Sequence, residues 1–283
     1  MIADYHVHTN YSDDSSYPME QVVLDAISLG INELCFTDHV DYGIKNDQDI
    51  DCKPLFRHGG INEPEWIPLT NVNYPEYVKE IAHLKEKYKD QIILKLGLEF
   101  GVQRHTIAKY ESLFKRYLFD FIILSVHEID DKEFWNQEYQ KGKTQDEYVM
   151  NYYKELLYLV KHYHDYSVLG HLDLITRYDV KGNYPFDKVK PIITEILNTV
   201  IKDRKGIELN TSSHRYCLKD LTPSLDILKL YHDLGGKIIT IGSDSHKPEH
   251  LGAYIEKSKE VLKQIGFSEF CTFEQMHPVF HIL

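Results

Sequence analysis

Lys237-Ile238-Ile239-Thr240-Ile241-Gly242-Ser243-Asp244-Ser245-His246 is an apolar, β-branched run that turns polar at its C-terminal end. Gly235-Gly236 before it closes a helix, and the run is too short for a helix of its own, so it reads as a buried strand. Working outward, the same shape recurs, and strands are predicted at 2–7, 31–37, 92–98, 119–126, 166–169, 206–209 and 237–241. Longer amphipathic stretches alternate with them and predict helices at 18–29, 74–88, 106–117, 145–163, 186–202, 224–234 and 248–265. Repeated strand–helix units imply a parallel sheet, and at 283 residues a closed or nearly closed barrel forming a single domain over 1–283.

The polar residues cluster where barrel enzymes build their sites, at the C-terminal strand ends. Strand one ends in His6-Val7-His8, strand two in Thr37-Asp38-His39 and strand three in Leu98-Glu99. The fourth ends in Ser125-Val126-His127, the fifth in Gly170-His171 and the seventh in Ser243-Asp244-Ser245-His246. His6 and His8, like Asp244 and His246, are two residues apart, so each pair leaves an extended chain on one side. A lone strand-terminal histidine is usually structural. Six strand ends converging on one face are different, because so many buried ionisable groups would overwhelm a domain stability of about 5–15 kcal/mol unless a shared cation reconciled them. Imidazole and carboxylate without thiolate suit Zn, Mn or Fe.

Composition excludes several classes. The formal charge of −12 argues against a nucleic-acid surface but not against a phosphorylated substrate, since bound cations invert the local field. No apolar stretch is long enough to span a bilayer and no signal core opens the chain, so a cytoplasmic protein is expected. Cys35, Cys52, Cys217 and Cys271 make no paired motif, which points to idle thiols. Of the 16 histidines, His83, His162, His164 and His232 fall on expected helices and His58, His277 and His281 in loops or the tail; His105, His214 and His250 stand near enough to loops to reach a pocket. Two long polar connections, 40–73 with Trp66 and 128–143 with Trp135, are expected as flaps around that pocket.

These residues resemble the polymerase and histidinol phosphatase (PHP) family. The motifs that carry the resemblance are His-Val-His-Thr at 6–9, Thr-Asp-His at 37–39, Gly-Leu-Glu at 97–99, Ser-Val-His at 125–127, Gly-His-Leu-Asp at 170–173 and Gly-Ser-Asp-Ser-His at 242–246, all in the family's order. The stretches 170–178 and 208–216 look like its histidinol-phosphatase branch. The resemblance implies a distorted (β/α)7 TIM-like barrel with two to three divalent ions. One would take His6, His8, Glu99 and Asp244; Glu99 would bridge to a second on His127 and His171; a third would take His39, His246 and an acidic residue of the first loop, Asp14 rather than Asp13. It further implies that Arg177 and Arg215 grip a phosphate, in keeping with the bidentate guanidinium fork.

The implied reaction is hydrolysis of histidinol phosphate to histidinol and phosphate, in histidine biosynthesis, by a metal-activated hydroxide with Asp244 as the general base. Glu128, Asp130 or Asp41 would receive the basic amine and imidazole of that substrate. Rival readings are a phosphoesterase of the same family acting on nucleotides, oligonucleotides or sugar phosphates, and a non-catalytic metal-binding module. An amidohydrolase ranks lower, because no lysine at a strand end suits a carbamate bridge. Oligomeric state has no signature in the sequence.

Overall fold

A computed structural model describes residues 1–47, 55–58 and 66–283, with side chains described outside 55–58 and 66–68. Seven parallel strands pair in chain order: β1 (Ala3–Val7), β2 (Glu33–Phe36), β3 (Ile93–Gly101), β4 (Phe121–Ser125), β5 (Val168–Leu169), β6 (Gly206–Asn210) and β7 (Ile239–Gly242). The ring closes between its first and last members, where His8 N–H donates to Ser245 O at 2.8 Å and Ser245 N–H to His6 O at 3.2 Å. A two-residue strand, His39–Val40, extends β2 and pairs with β3 at Glu99 and Phe100. Most strand residues are buried, as expected where helices cover one face of a parallel sheet and side chains fill the barrel on the other.

The helices α1 (Met19–Ser28), α2 (Tyr74–Lys87), α3 (Ile107–Phe114), α4 (Gln145–His162), α5 (Phe186–Lys202), α6 (Leu225–Asp233) and α7 (Ile255–Ile265) follow the barrel strands in turn. Their starts obey local chemistry: Thr144 and Glu147 form a reciprocal capping box at α4, with Thr144 Oγ1 accepting from Glu147 N–H. The expected helix at 248–265 is broken instead. A short 3-10 turn (Pro248–His250) precedes α7, and Tyr254 between them is left-handed with φ 63°. His164 lies just beyond α4 rather than on a helix.

The last segment corrects the reading of a loop or tail. Glu269–Glu274 (β8) and His277–Ile282 (β9) form an antiparallel hairpin at the N-terminal mouth of the barrel. Phe270 and Phe273 are buried there, and Tyr5 OH inside the barrel mouth accepts from Phe273 N–H at 2.7 Å. The long connections also hold short antiparallel pairs, 55–58 with 66–69 and 128–129 with 132–133. Trp66 lies in the first by its backbone, while Cys52 falls outside the described residues.

Candidate metal centre

All nine expected ligands meet at the C-terminal mouth. Glu99, fully buried on β3, is the hub: its Oε2 lies 3.1 Å from His6 Nε2, 3.6 Å from His8 Nε2 and 3.1 Å from His39 Nδ1. Its Oε1 lies 3.1 Å from His127 Nε2 and 2.7 Å from His171 Nε2. Asp244 Oδ1 adds His8 at 3.6 Å and His246 Nδ1 at 3.5 Å. Asp14 reaches His246 Nε2 at 3.1 Å and His39 Nε2 at 3.5 Å, whereas Asp13 turns away to Lys45 Nζ at 2.6 Å. Position thus separates the two adjacent aspartates. Asp244 occupies a left-handed conformation, φ 55°, just beyond the end of β7.

The donor set fits divalent cations. His8 Nε2 and His39 Nδ1 are buried without hydrogen-bond partners, although carboxylates stand around both. Burial, reinforced by the imidazoles of His246, His39 and His6, drives the His8 pKa well down, and burial lowers that of His171, which favours the neutral ligand form. Against the opposing effect of burial, His6, His127, His39 and His171 hold Glu99 well below the usual carboxylate range. Overlapping groups of imidazole and carboxylate donors, among them His6–His8–Asp244, His6–Glu99–His171 and His39–Glu99–His127, each keep their ligand atoms within 4.8 Å of one another. Mixed nitrogen and oxygen donors without sulfur match Zn, Mn or Fe.

A supporting ring of carboxylates escaped the sequence reading. Glu208 on β6, the one strand end to which no ligand was assigned, accepts from His6 Nδ1 at 2.5 Å and from His171 N–H at 2.9 Å. Asp41 faces His127 Nδ1 at 2.8 Å and Lys45 Nζ at 2.8 Å, which corrects its expected role of receiving a substrate amine. Asp38 accepts from Thr9 N–H at 2.7 Å and Ser12 Oγ at 2.8 Å, fixing the loop that carries Asp14. Close packing requires glycine beside two of these carboxylates. A Cβ at Gly101 would strike Asp41 and His127, and one at Gly242 would strike His6 and Glu208. The available signal was the i, i+2 pattern Glu208–Asn210, which directs both side chains to one side of the strand, where they bond at 3.2 Å.

Over this cluster opens a pocket of about 740 Å³. Arg177 and Arg215 line it, each beside the face of Tyr216 and within 3.5 Å and 3.4 Å of Asp244 Oδ2. Arg177 Nη2 also donates to Ser212 Oγ at 2.5 Å, and its Nε is buried with no partner. Arg215 is tied down more firmly, donating to the carbonyls of Ser243 at 2.7 Å and Asp244 at 2.6 Å. Both long connections reach the rim, through Asp41, Ile44, Lys45 and Leu69 from the first and Glu128, Glu133 and Trp135 from the second. Of the three undecided histidines, His250 lines the pocket, His105 pairs with Asp131 at 3.0 Å, and His214 stacks on Tyr254. Asp130 is not among the lining residues.

The profile of the PHP domain matches residues 4–212. A histidinol-phosphatase of Lactococcus lactis is 32% identical over 276 residues, covering 96% of this chain and 94% of its own. That of Saccharomyces cerevisiae is 20% identical, covering 96% and 91%. A crystal structure of the Lactococcus lactis histidinol phosphate phosphatase, complexed with zinc, L-histidinol and phosphate, superposes with a TM-score of 0.82 at 32% identity over 98% of each chain. A Listeria monocytogenes structure at 19% identity shares the fold, with a TM-score of 0.71 over 90% of this chain and 99% of that one.

Proposed function

The chain belongs to the PHP domain family, and we propose that it is a metal-dependent histidinol-phosphatase, converting L-histidinol phosphate and water to L-histidinol and phosphate. The observation that carries this reading is the Glu99-centred cluster, with its partnerless imidazole nitrogens, beneath a pocket that also holds Arg177. His6, His8, Glu99 and Asp244 would hold one ion, with Glu99, His127 and His171 holding a second, and Asp14, His39 and His246 a third. Zn, Mn or Fe bound there would supply a hydroxide at neutral pH and neutralise charge on the transferring phosphoryl group.

The side chains do the rest. Arg177 directs its guanidinium at the phosphate oxygens, with Tyr216 beneath it as a platform. Arg215 holds the turn of Asp244 by two backbone carbonyls while its remaining charge faces the same pocket. Asp244, flanked by both guanidiniums, orients the attacking water, accepts its proton at a carboxylate oxygen and returns one to the departing alkoxide. Glu208 and Asp41 fix the tautomers of His6 and His127 by accepting at Nδ1, so that each Nε2 lone pair faces the centre.

The test is phosphate release from histidinol phosphate, a mononucleotide and a dinucleotide by protein loaded with one metal at a time. A kcat/KM for histidinol phosphate at least tenfold above both nucleotides is expected. Preference for a nucleotide would reassign the substrate, and no turnover of any ester with full metal occupancy would favour a non-catalytic module.

A further inference from the structure

Arg177 and Arg215 converge on Asp244 Oδ2, at 3.5 Å and 3.4 Å, but they arrive on different loops. Arg177 rides the 3-10 turn Leu174–Tyr178 that follows β5, and Arg215 rides the connection between β6 and α6. How well the two guanidiniums close on one phosphate therefore depends on how these loops are held together. The second loop leaves the barrel at Asn210 and returns beside it, where Asn210 N–H donates to Thr222 O at 2.8 Å. Residues 211–221 thus form one closed excursion that carries Ser212, Arg215 and Tyr216. Arg215 fixes it to the β7 turn through the carbonyls of Ser243 and Asp244, which leaves the turn of Arg177 as the part to be positioned.

One buried side chain crosses between the two loops at their base. Asp173 is 3% exposed and is not among the residues lining the pocket, yet its Oδ2 accepts from Ser224 N–H at 2.8 Å, two residues past Thr222. Its own carbonyl accepts from Thr176 N–H at 2.9 Å and Thr176 Oγ1 at 2.8 Å, so the same residue winds the turn that aims Arg177. A buried carboxyl group is costly unless it is hydrogen-bonded, and here the bond runs to the backbone of the other loop. We infer that Asp173 is a positioning residue for phosphate binding, which acts through Ser224 to set the separation of Arg177 from Arg215. This rests on the reading of both arginines as the phosphate grip and adds to it the residue that sets the width of that grip. The far end of the same contact is Arg177 itself, which donates to Ser212 Oγ and stacks on Tyr216. The excursion is therefore tied to the turn at both ends.

The experiment measures the Kd of inorganic phosphate by calorimetry on zinc-loaded protein, with metal content and Tm recorded for each variant. Arg177→Ala gives the scale of a lost grip. Asp173→Ala should weaken phosphate by about tenfold or more at unchanged metal content, since small misplacements of positioned groups are costly. Asp173→Asn should stay within about threefold of the parent, because its amide oxygen still accepts from Ser224 N–H. Its NH2 would stand where Oδ1 has no hydrogen-bond partner among the described residues to lose. Ser224→Pro removes the donor without touching the carboxyl group, for Ser224 already has φ −55° and its hydroxyl makes no cap bond. It should weaken phosphate about as much as Asp173→Ala, and the double variant by no more than about twofold further, since both changes cut one bond. Should Asp173→Ala not fold, Ser224→Pro decides by the same thresholds. Parent-like phosphate affinity in Asp173→Ala, whatever its Tm, would overturn the positioning role, as would effects that multiply in the double variant. Parent-like affinity in Arg177→Ala is a different result, and it would remove the arginine grip together with the residue that sets it.

Discussion

Replacing Glu208 by glutamine changes one atom and should disturb two of the proposed metal ligands at once. Glu208 Oε1 accepts from His6 Nδ1 at 2.5 Å, while Oε2 accepts from His171 N–H at 2.9 Å and Asn210 Nδ2 at 3.2 Å. A glutamine offers one oxygen to these two sides. If its oxygen faces the His171 amide, its NH2 faces His6 Nδ1 and favours the tautomer protonated at Nε2, the nitrogen aimed at the cluster. If it flips, its NH2 confronts a buried N–H donor, an unsatisfied arrangement worth about 1–3 kcal/mol. Either way the cost falls on His6 or His171, and losing such an outer partner typically lowers metal affinity by about 10–100-fold. The assay is competition for Zn between Glu208→Gln and a chelator of known affinity, with circular dichroism and Tm recorded on the metal-free protein. Affinity within twofold of the parent, with the fold intact, would refute the claim that Glu208 sets the tautomer of His6.

Glu99→Gln should lose bound metal and at least about 100-fold of activity, because the hub carboxylate faces five imidazoles; full metal occupancy by elemental analysis with a rate within threefold would remove its bridging role. Arg177→Ala should keep its metal and lose about 10–150-fold in kcat/KM, with partial recovery in Arg177→Lys, as charge-assisted bonds of about 1.5–3 kcal/mol predict; a lowered Tm with unchanged kcat/KM would make the residue structural. Asp120 tests the base of the barrel. Despite opposing burial, Lys85 Nζ at 2.8 Å and Leu96 N–H at 2.9 Å hold its carboxyl below the usual value. A depressed pKa stabilises above the unfolded value of about 4 and stops doing so as pH falls through the folded one, so the stability gap between parent and Asp120→Asn in urea should be full at pH 7 and shrink toward pH 3. A gap independent of pH would sink the ion pair.

The sequence alone determined the barrel and its metal-binding edge, because both rest on local periodicity. Alternating buried strands and amphipathic helices fix a parallel ring, and a polar residue just after an apolar strand must emerge at that strand's C-terminal end. His6, His8, Glu99, His127, His171, Asp244 and His246 were legible for that reason. Asp14 was preferred to Asp13 only through the family resemblance, since periodicity leaves two adjacent acids in one loop equivalent; the tertiary structure adds the physical reason, with Lys45 drawing off Asp13. Glu208 needed the tertiary structure, since its strand carries no expected ligand and its function exists only through His6 and His171 from β1 and the turn after β5. The β8–β9 hairpin was missed because a tight turn, not a helix, joins its strands and they pair only with each other, outside the repeat that revealed the rest.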